Sequence, residues 1–332
     1  MAVSTQTHPR QQTGSAPDFR AFAEAHGSEP IVIILGCQGS GTNLLSKLLM
    51  KVFDFSVIRD RSLIYNAAVN VMRSPGGDTV EREDRRIRRA LFPSPFRRRF
   101  AYGHYHHRNR GYVGIDTNIA GMAVESPRDF AYRYYLHHAW KEKASHVALK
   151  CDDMWENVAH LETVFPDAKL IQLVRDPRDN ALSIMRKNFG PRDIYSASRY
   201  VKMRINRYDE AIRAFPGNAL QITYESVLND PHEFISQFRD TFGFPTVKDV
   251  AGAVEALQIR PHNKQKWRRI PAADLRVSET VLQAELHQFG YEIATPDIGA
   301  LSGTTVARHV LNDTLLRVPQ KLAYVTDQFR RG

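Results

Sequence analysis

Two short stretches carry residue types at spacings that could do chemistry. The first is Gly36–Asn43, GCQGSGTN. Its spacing is that of the triphosphate-binding loop G-x-x-x-x-G-K-[ST], but Thr42 stands in the lysine position. The physics of such a loop does not depend on the lysine. Glycines let consecutive backbone N–H groups turn inward and form a concave anion nest. A helix starting near Thr42 adds its unsatisfied N–H groups and the positive end of its dipole. Gln38, Gly39, Ser40, Gly41, Thr42 and Asn43 are therefore the candidate phosphate contacts, with short side-chain donors at Ser40, Thr42 and Asn43. Without the lysine, the loop suits one tetrahedral dianion rather than triphosphate chemistry. A tight β–α turn that binds nothing is the alternative.

The second stretch is LIQLVRDPRDNALSIMRKN. An apolar strand ends at Val174 and Arg175 follows directly. Asp176 suits a helix cap and Pro177 the first helical turn. Ser183 then lies about two turns into the helix, back beside Arg175. An arginine fork donates two parallel hydrogen bonds to a phosphate, and a hydroxyl adds a third. Alone, Arg175 could equally pair with Asp176 or Asp179, leaving Ser183 an ordinary helix residue. Beside the first loop, on a later strand of the same sheet, it reads as a second phosphate pocket. Two such pockets require a ligand phosphorylated at two distant points, such as a nucleotide substituted at its 5′ and 3′ positions.

The elements that must position these residues alternate. Ile31–Leu35 is apolar on both faces, as in a buried parallel strand, and Leu44, Leu45, Leu48, Leu49 and Val52 follow at helical spacing. Short apolar runs return at Phe55–Ile58, Gly111–Ile115, His146–Lys150, Leu170–Val174 and Leu220–Tyr224, separated mostly by helical patterns such as MWENVAHLETVF and ASRYVKMRINRYDEAIRAF. Strands alternating with helices predict an α/β fold of three layers, a mainly parallel central sheet with helices on both faces. The expected organisation is a flexible tail with a short helix over 1–29, the main domain over 30–295 and a helical extension over 296–332. Within the main domain, about 61–144 is less regular and looks like an insertion over the sheet edge. The extension is amphipathic and basic, and Pro319 is expected to break it. Packing on the core is its favoured role; a twin subunit in a homodimer and peripheral contact with a membrane surface are the others.

The chain has 332 residues, is 42% hydrophobic and carries a formal net charge of +10. That is enough for a substantial core. No stretch approaches the ~20 apolar residues of a spanning helix, and the N-terminus lacks the apolar region of a secretory signal, so the expected location is cytoplasmic. Two cysteines, Cys37 and Cys151, make no disulfide framework and no zinc motif; both read as buried inert thiols. The positive excess concentrates in Arg82–Arg110, ten arginines diluted by Glu81, Glu83 and Asp84. Such a surface attracts polyanions. No recognition helix or aromatic RNA motif accompanies it, so no specific nucleic acid is expected.

The quoted residues resemble a known family. GCQGSGTNLL is similar to the 5′-phosphosulfate loop of sulfotransferases, and LVRDPRDNALS resembles their 3′-phosphate motif. FPDAKLIQLVRDPRD, ALKCDD, ITYESVLNDP, NKQKWRR and the closing FGY extend the resemblance, in order, over about Ile31 to Tyr291. The middle, Arg61 to Ala144, matches nothing nameable, as is usual for the acceptor-binding region. The resemblance implies sulfuryl transfer from 3′-phosphoadenosine 5′-phosphosulfate to an acceptor hydroxyl or amine, with no metal. The acceptor would be a carbohydrate, a glycolipid or a small metabolite, and the arginine stretch would suit an anionic glycan or a lipid-linked one. In one position the chain departs from the family, which usually carries Lys or Arg just before the S-G-T of the loop. Here that residue is Gly39, and Lys150 at the end of HVALK is the best replacement cation.

Charge builds on the leaving phosphate in such a transfer, so positioning and electrostatic stabilisation carry the catalysis. An alcohol acceptor also wants a general base. Asp60 is the first candidate, against an ordinary surface aspartate in a solvated turn. His104, with His106 and His107, is the second, because neutral imidazole is available at pH 7; Asp116 is the third. Tyr224, ending its strand, is expected to reach the nucleotide or pack in the core. Lys266 and Arg268 flank Trp267, and the three are expected to close over the 3′-phosphate and adenine with cation–π help, or to form a solvated basic turn. Two other functions compete: a polyanion-binding protein that keeps the nucleotide fold as scaffold, and a P-loop kinase, disfavoured by Thr42.

Overall fold

In the computed structural model, residues 18–58, 63–91, 124–150, 158–187, 189–259, 264–296 and 298–330 are described. Among them five strands form one parallel sheet: β1 (Val32–Leu35), β2 (Phe55–Ile58), β3 (His146–Lys150), β4 (Lys169–Val174) and β5 (Ala219–Thr223). Their order is β2-β3-β1-β4-β5. Strand β1 is flanked by β3, with Ile34 beside Lys150, and by β4, with Leu35 beside Gln172. The chain thus leaves β1 toward one edge and later returns to its other side. The crevice outside the carboxyl ends of β1, β3 and β4 is the switch point where open α/β sheets bind ligands. Gly36–Gly41, Lys150 and Arg175 all lie at those ends.

The helices are α1 (Phe19–His26), α2 (Thr42–Val52), α3 (Leu63–Arg73), α4 (Gly77–Leu91), α5 (Pro127–Glu142), α6 (Leu161–Val164), α7 (Pro177–Met185), α8 (Ile194–Ala214), α9 (Tyr224–Asn229), α10 (Pro231–Phe242), α11 (Val250–Glu255), α12 (Ala272–Gln288) and α13 (Gly303–Arg330). Alternation along β1 divides the core. Ile33 and Leu35 join the cluster of α1, α3, α5 and α6, whereas Val32 and Ile34 join that of α2 and α10. This is why the apolar run reads as two-faced: strands covered on both sides need apolar residues at every position. A third cluster gathers Cys37, Ala181, Ile184, Val201, Leu282 and Leu286, and so packs α7, α8 and α12 against the β1 loop.

Several elements differ from the sequence reading. The start of the arginine stretch is a regular helix, α4, because Arg85–Glu81 (3.1 Å) and Arg86–Glu83 (2.7 Å) pairs support it one turn apart. Helices α3 and α5, inside the expected insertion, supply Tyr65, Phe130 and Tyr135 to the core, and buried Arg133 of α5 binds Asp84 of α4 at 2.5 Å. Residues 158–164 form only a 3-10 turn and the short α6. Tyr224 opens α9 rather than ending a strand, because the Thr223 side chain caps that helix by accepting from Ser226 N. Pro319 does not break the extension: α13 runs continuously from Gly303 to Arg330. A proline inside a helix removes one backbone hydrogen bond, and the turns on both sides keep theirs. Gly111–Ile115 and Cys151 lie outside the described residues. Among the described residues no helix is long and apolar enough to cross a membrane.

Candidate active site

The loop after β1 is shaped by two glycines in the left-handed region, Gly39 (φ 93°) and Gly41 (φ 104°). Both also need their missing side chains. A Cβ on Gly41 would lie 2.2 Å from the Tyr224 ring, and one on Gly39 would lie 2.9 Å from Ser183 Cβ. The loop is held from outside by its carbonyls. Asn180 Nδ2 donates to Gln38 O (2.9 Å) and Arg175 Nη1 to Gly39 O (3.0 Å). These carbonyls are turned toward α7, and the Ser40 amide that follows them donates to Cys37 O (2.9 Å) and closes the turn. Helix α2 begins at Thr42 with Gly41 as its N-cap and no side-chain cap, so its first amides remain available to a ligand. Ser40 is buried, and its Oγ finds no hydrogen-bond partner among the described residues. Lys150 Nζ reaches from β3 to Asn43 Oδ1 (3.0 Å) and so sits against the first turn of α2.

The second point is built on α7. Asp176 caps that helix through Arg178 N, and Pro177 occupies its first turn. Arg175 Nη1 lies 3.4 Å from Ser183 Oγ, and Nη2 lies 3.3 Å from Asp179 Oδ2. Asp179 is fully buried; burial raises its carboxyl pKa, and the Arg175 guanidinium works against that rise. Its other oxygen accepts from Trp267 N (3.1 Å), which docks the 3-10 turn Lys266–Arg269 onto α7. The Lys266 ammonium is held below its ordinary pKa, first by burial and then by the positive charges of Arg175, Arg186 and Lys187. Asp179 offsets part of this lowering, and four cations around that carboxylate favour an added anion among them. The Arg175 guanidinium also lies 5.1 Å from the centre of the Tyr224 ring, the ring that covers Gly41. Burial raises the Tyr224 pKa.

The structure therefore brings Gln38, Gly39, Ser40, Gly41, Thr42, Asn43, Lys150, Arg175, Ser183, Tyr224 and Lys266 to one edge of the sheet. Trp267 is placed differently from the expectation. It is buried with Arg178 over its ring at 3.7 Å, so Arg178 supplies the close cation–π contact. Arg268 turns to Glu292 (3.0 Å) and lies 5.0 Å from the Trp267 ring centre. Asp60, His104 and Asp116, the candidate bases, lie outside the described residues. Among the described residues no group of three or more His, Cys, Asp or Glu side chains is arranged to hold a metal.

Other residues of the site were not singled out by sequence. Tyr200 OH donates to Gln38 Oε1 (2.9 Å), and buried Arg204 donates to Tyr200 OH (2.5 Å), a brace beneath the loop from α8. Arg178 binds Asp176 (2.9 Å) and Glu279 of α12 (2.5 Å). Glu225 accepts from Asp176 N (3.4 Å) and Tyr291 OH (2.6 Å). Burial raises the carboxyl pKa of Glu225, and burial beside Glu225 raises that of the Tyr291 phenol. Of these, Asn180, Arg178 and Asp176 lie within LVRDPRDNALS, Glu225 within ITYESVLNDP and Tyr291 within FGY. The others come from distant segments and carry no local signal.

A parallel sheet with a glycine-shaped loop after β1 and a guanidinium after β4 defines an α/β protein with a candidate anion site at the switch point. The chain belongs to the sulfotransferase family, whose sequence pattern matches residues 30–249. The chain is also similar, at low identity, to solved structures. The sulfotransferase domain from the Synechococcus PCC 7002 olefin synthase is 18% identical, with a TM-score of 0.48, covering 80% of this chain and 95% of that one. Sulfotransferase STF9 from Mycobacterium avium is 14% identical, with a TM-score of 0.47, covering 83% and 82%. The sulfotransferase domain from the curacin biosynthetic pathway is 13% identical, with a TM-score of 0.46, covering 80% and 99%. No curated protein sequence matches the chain.

Proposed function

We propose that the protein transfers a sulfuryl group from 3′-phosphoadenosine 5′-phosphosulfate to a hydroxyl or amine of an acceptor. The observation that carries this reading is the bond between the two anion points: Arg175, after β4, donates directly to Gly39 O of the loop after β1. One ligand bearing anionic groups at two ends fits that arrangement better than a linear triphosphate does. The residues suit such a donor: buried Ser40 Oγ has no partner among the described residues, the first turn of α2 has no side-chain cap, and Lys266 is crowded by other cations.

When bound, the donor supplies an electrophilic sulfur and a leaving phosphate: one S–O bond forms to the acceptor, one breaks, and the acceptor proton passes to a base. The chain's part is to hold charge. Amides of residues 41–43, the Ser40 hydroxyl and the Lys150 ammonium face the leaving phosphate, where stabilisation strengthens as charge develops. Arg175, Ser183 and Lys266 hold the 3′-phosphate and fix the donor's position. Tyr224 packs over Gly41 and keeps the loop shut on that side. Asp60 and His104 are the proposed proton acceptors.

The acceptor we favour is a hydroxyl-bearing carbohydrate, glycolipid or small metabolite. The described part of the arginine stretch does not recommend an anionic one, because Arg82, Arg85 and Arg86 on α4 already face Glu83 and Glu81. Calorimetric titration with 3′-phosphoadenosine 5′-phosphate, ADP and ATP tests the donor. Binding of the first alone is expected; equal affinity for ATP would replace this reading with a kinase. Turnover of labelled donor against acceptor pools then identifies the acceptor class.

A further inference from the structure

A cavity of about 470 Å³ lies between α13, the connection from α7 to α8 and the first turn of α12. Small-molecule sites commonly have this size. No residue of the loop after β1 lines it, nor do Lys150 and Arg175, so it is separate from the site proposed for the donor.

Its polar wall is organised around Asp193. That buried carboxylate accepts from Tyr195 N (2.9 Å), Asn312 Nδ2 (2.9 Å) and His309 Nδ1 (3.0 Å). A carboxylate can only accept, so the proton of the neutral imidazole is on Nδ1 and Nε2 is left as an acceptor. His309 is 8% exposed, and its Nε2 is buried without a hydrogen-bond partner among the described residues. Buried polar atoms are nearly always paired, so this acceptor in the lining asks for a donor from whatever fills the cavity.

The other lining groups fix the kind of occupant. Arg308 is exposed and pairs with no carboxylate among the described residues, and Arg192 is anchored by Nη1 donating to Met185 O (2.8 Å). Two guanidiniums in one cavity suit an oxyanion. Asp193 is already engaged, so Asp274 in the first turn of α12 is the lining carboxylate that remains to accept from hydroxyls. Met185 and Ile194 add apolar surface for a carbon skeleton.

We propose that this cavity is a second ligand site and takes a monosaccharide-sized polyol bearing one oxyanion. The oxyanion lies on Arg308 and Arg192, one hydroxyl donates to His309 Nε2 and another to Asp274. An uncharged sugar leaves the guanidiniums unmatched. A bare sulfate ion has no proton to give Nε2.

Calorimetric titration of the full chain tests the site. Glucose 6-phosphate and glucuronate are the probes, which separate a phosphate ester from a carboxylate; glucose and inorganic sulfate represent the two halves of the ligand. At least one of the first pair is expected to bind, one per chain, and each half about tenfold or more weakly. Arg308→Ala should weaken the bound probe about tenfold with an unchanged melting temperature. His309→Phe should weaken it as well, and its structural cost through Asp193 is read separately from the melting temperature. Arg175→Gln should leave this binding as it is. Failure of both probes to bind, undiminished binding to Arg308→Ala, or loss of binding in Arg175→Gln would overturn the proposal. Sulfate binding as tightly as the better probe would overturn the assignment of a hydroxylated ligand.

Discussion

Replacing Arg175 with glutamine separates the two jobs assigned to this side chain. One is structural: Arg175 Nη2 faces fully buried Asp179 at 3.3 Å, and Nη1 holds Gly39 O at 3.0 Å. The other is to grip a 3′-phosphate. A hydrogen bond to a charged group contributes about 1.5–3 kcal/mol, so a two-pronged guanidinium contact contributes about 3 kcal/mol. At 1.4 kcal/mol per tenfold, that is about 100-fold in affinity. Losing the cation beside Asp179 costs stability as well, on the order of 1–3 kcal/mol. That structural loss falls equally on any nucleotide, so a thermodynamic cycle removes it. 3′-Phosphoadenosine 5′-phosphate and AMP are titrated calorimetrically into the wild type and Arg175→Gln. The expected result is a loss of about 100-fold for the bisphosphate and little change for AMP, a coupling of about 3 kcal/mol. Equal weakening of both ligands would show that Arg175 only shapes the loop, and the assignment of the second anion point would fail.

Three further outcomes follow from the same geometry. Lys150→Met should leave bisphosphate binding within a few fold and lower kcat by about 10²–10³, the usual effect of losing one group that stabilises developing charge; steady-state rates and titration together check this. Gly39→Lys, which restores the family's usual cation, should destabilise rather than activate. The left-handed backbone costs about 1–2 kcal/mol, and the new Cβ would meet Ser183 Cβ at 2.9 Å, so a lower melting temperature is expected. Affinity for the bisphosphate should fall as pH rises toward 10.5, the ordinary lysine value. The crowded Lys266 ammonium has a lowered pKa when free, and a bound anion draws it back up, so binding takes up a proton between the two pKa values. Titrations in buffers of different ionisation enthalpy should register this uptake, and Lys266→Met should abolish it.

The five described strands, and the loop and helix that carry the two candidate anion points, were legible because their signals are local. A two-faced apolar run, a glycine-spaced loop and the R-D-P start of a helix each fit within about ten residues, where backbone preference and hydrogen bonding decide the outcome. The supports were not legible, because they join distant segments. Nothing near Tyr200 or Arg204 marks them as a brace for Gln38, and nothing near Glu279 marks it as the anchor of Arg178. Tyr224 was placed one element early because β-propensity and a helix cap compete at the Thr223–Tyr224 junction, and the Thr223 hydroxyl decides it. Propensity disfavours proline in a helix interior and so predicts a break at Pro319, whereas α13 continues through it.

The absence of a cation at position 39 follows from how the loop after β1 is anchored. Gly39 lies so close to α7 that a Cβ would meet Ser183, and the carbonyls of residues 38 and 39 are tied to Asn180 and Arg175. The nest after β1 is therefore bolted to the helix that carries the second anion point. That helix is in turn fixed through Asp179 to the Lys266–Arg269 turn and through Arg178 to Glu279. The separation of the two anion points is then set by one rigid helix rather than by a loop free to move. A lysine at 39 would have to push α7 away and so spoil that spacing. A cation reaching in from β3 leaves it untouched, and Lys150, already against Asn43 at 3.0 Å, is the residue placed to do this.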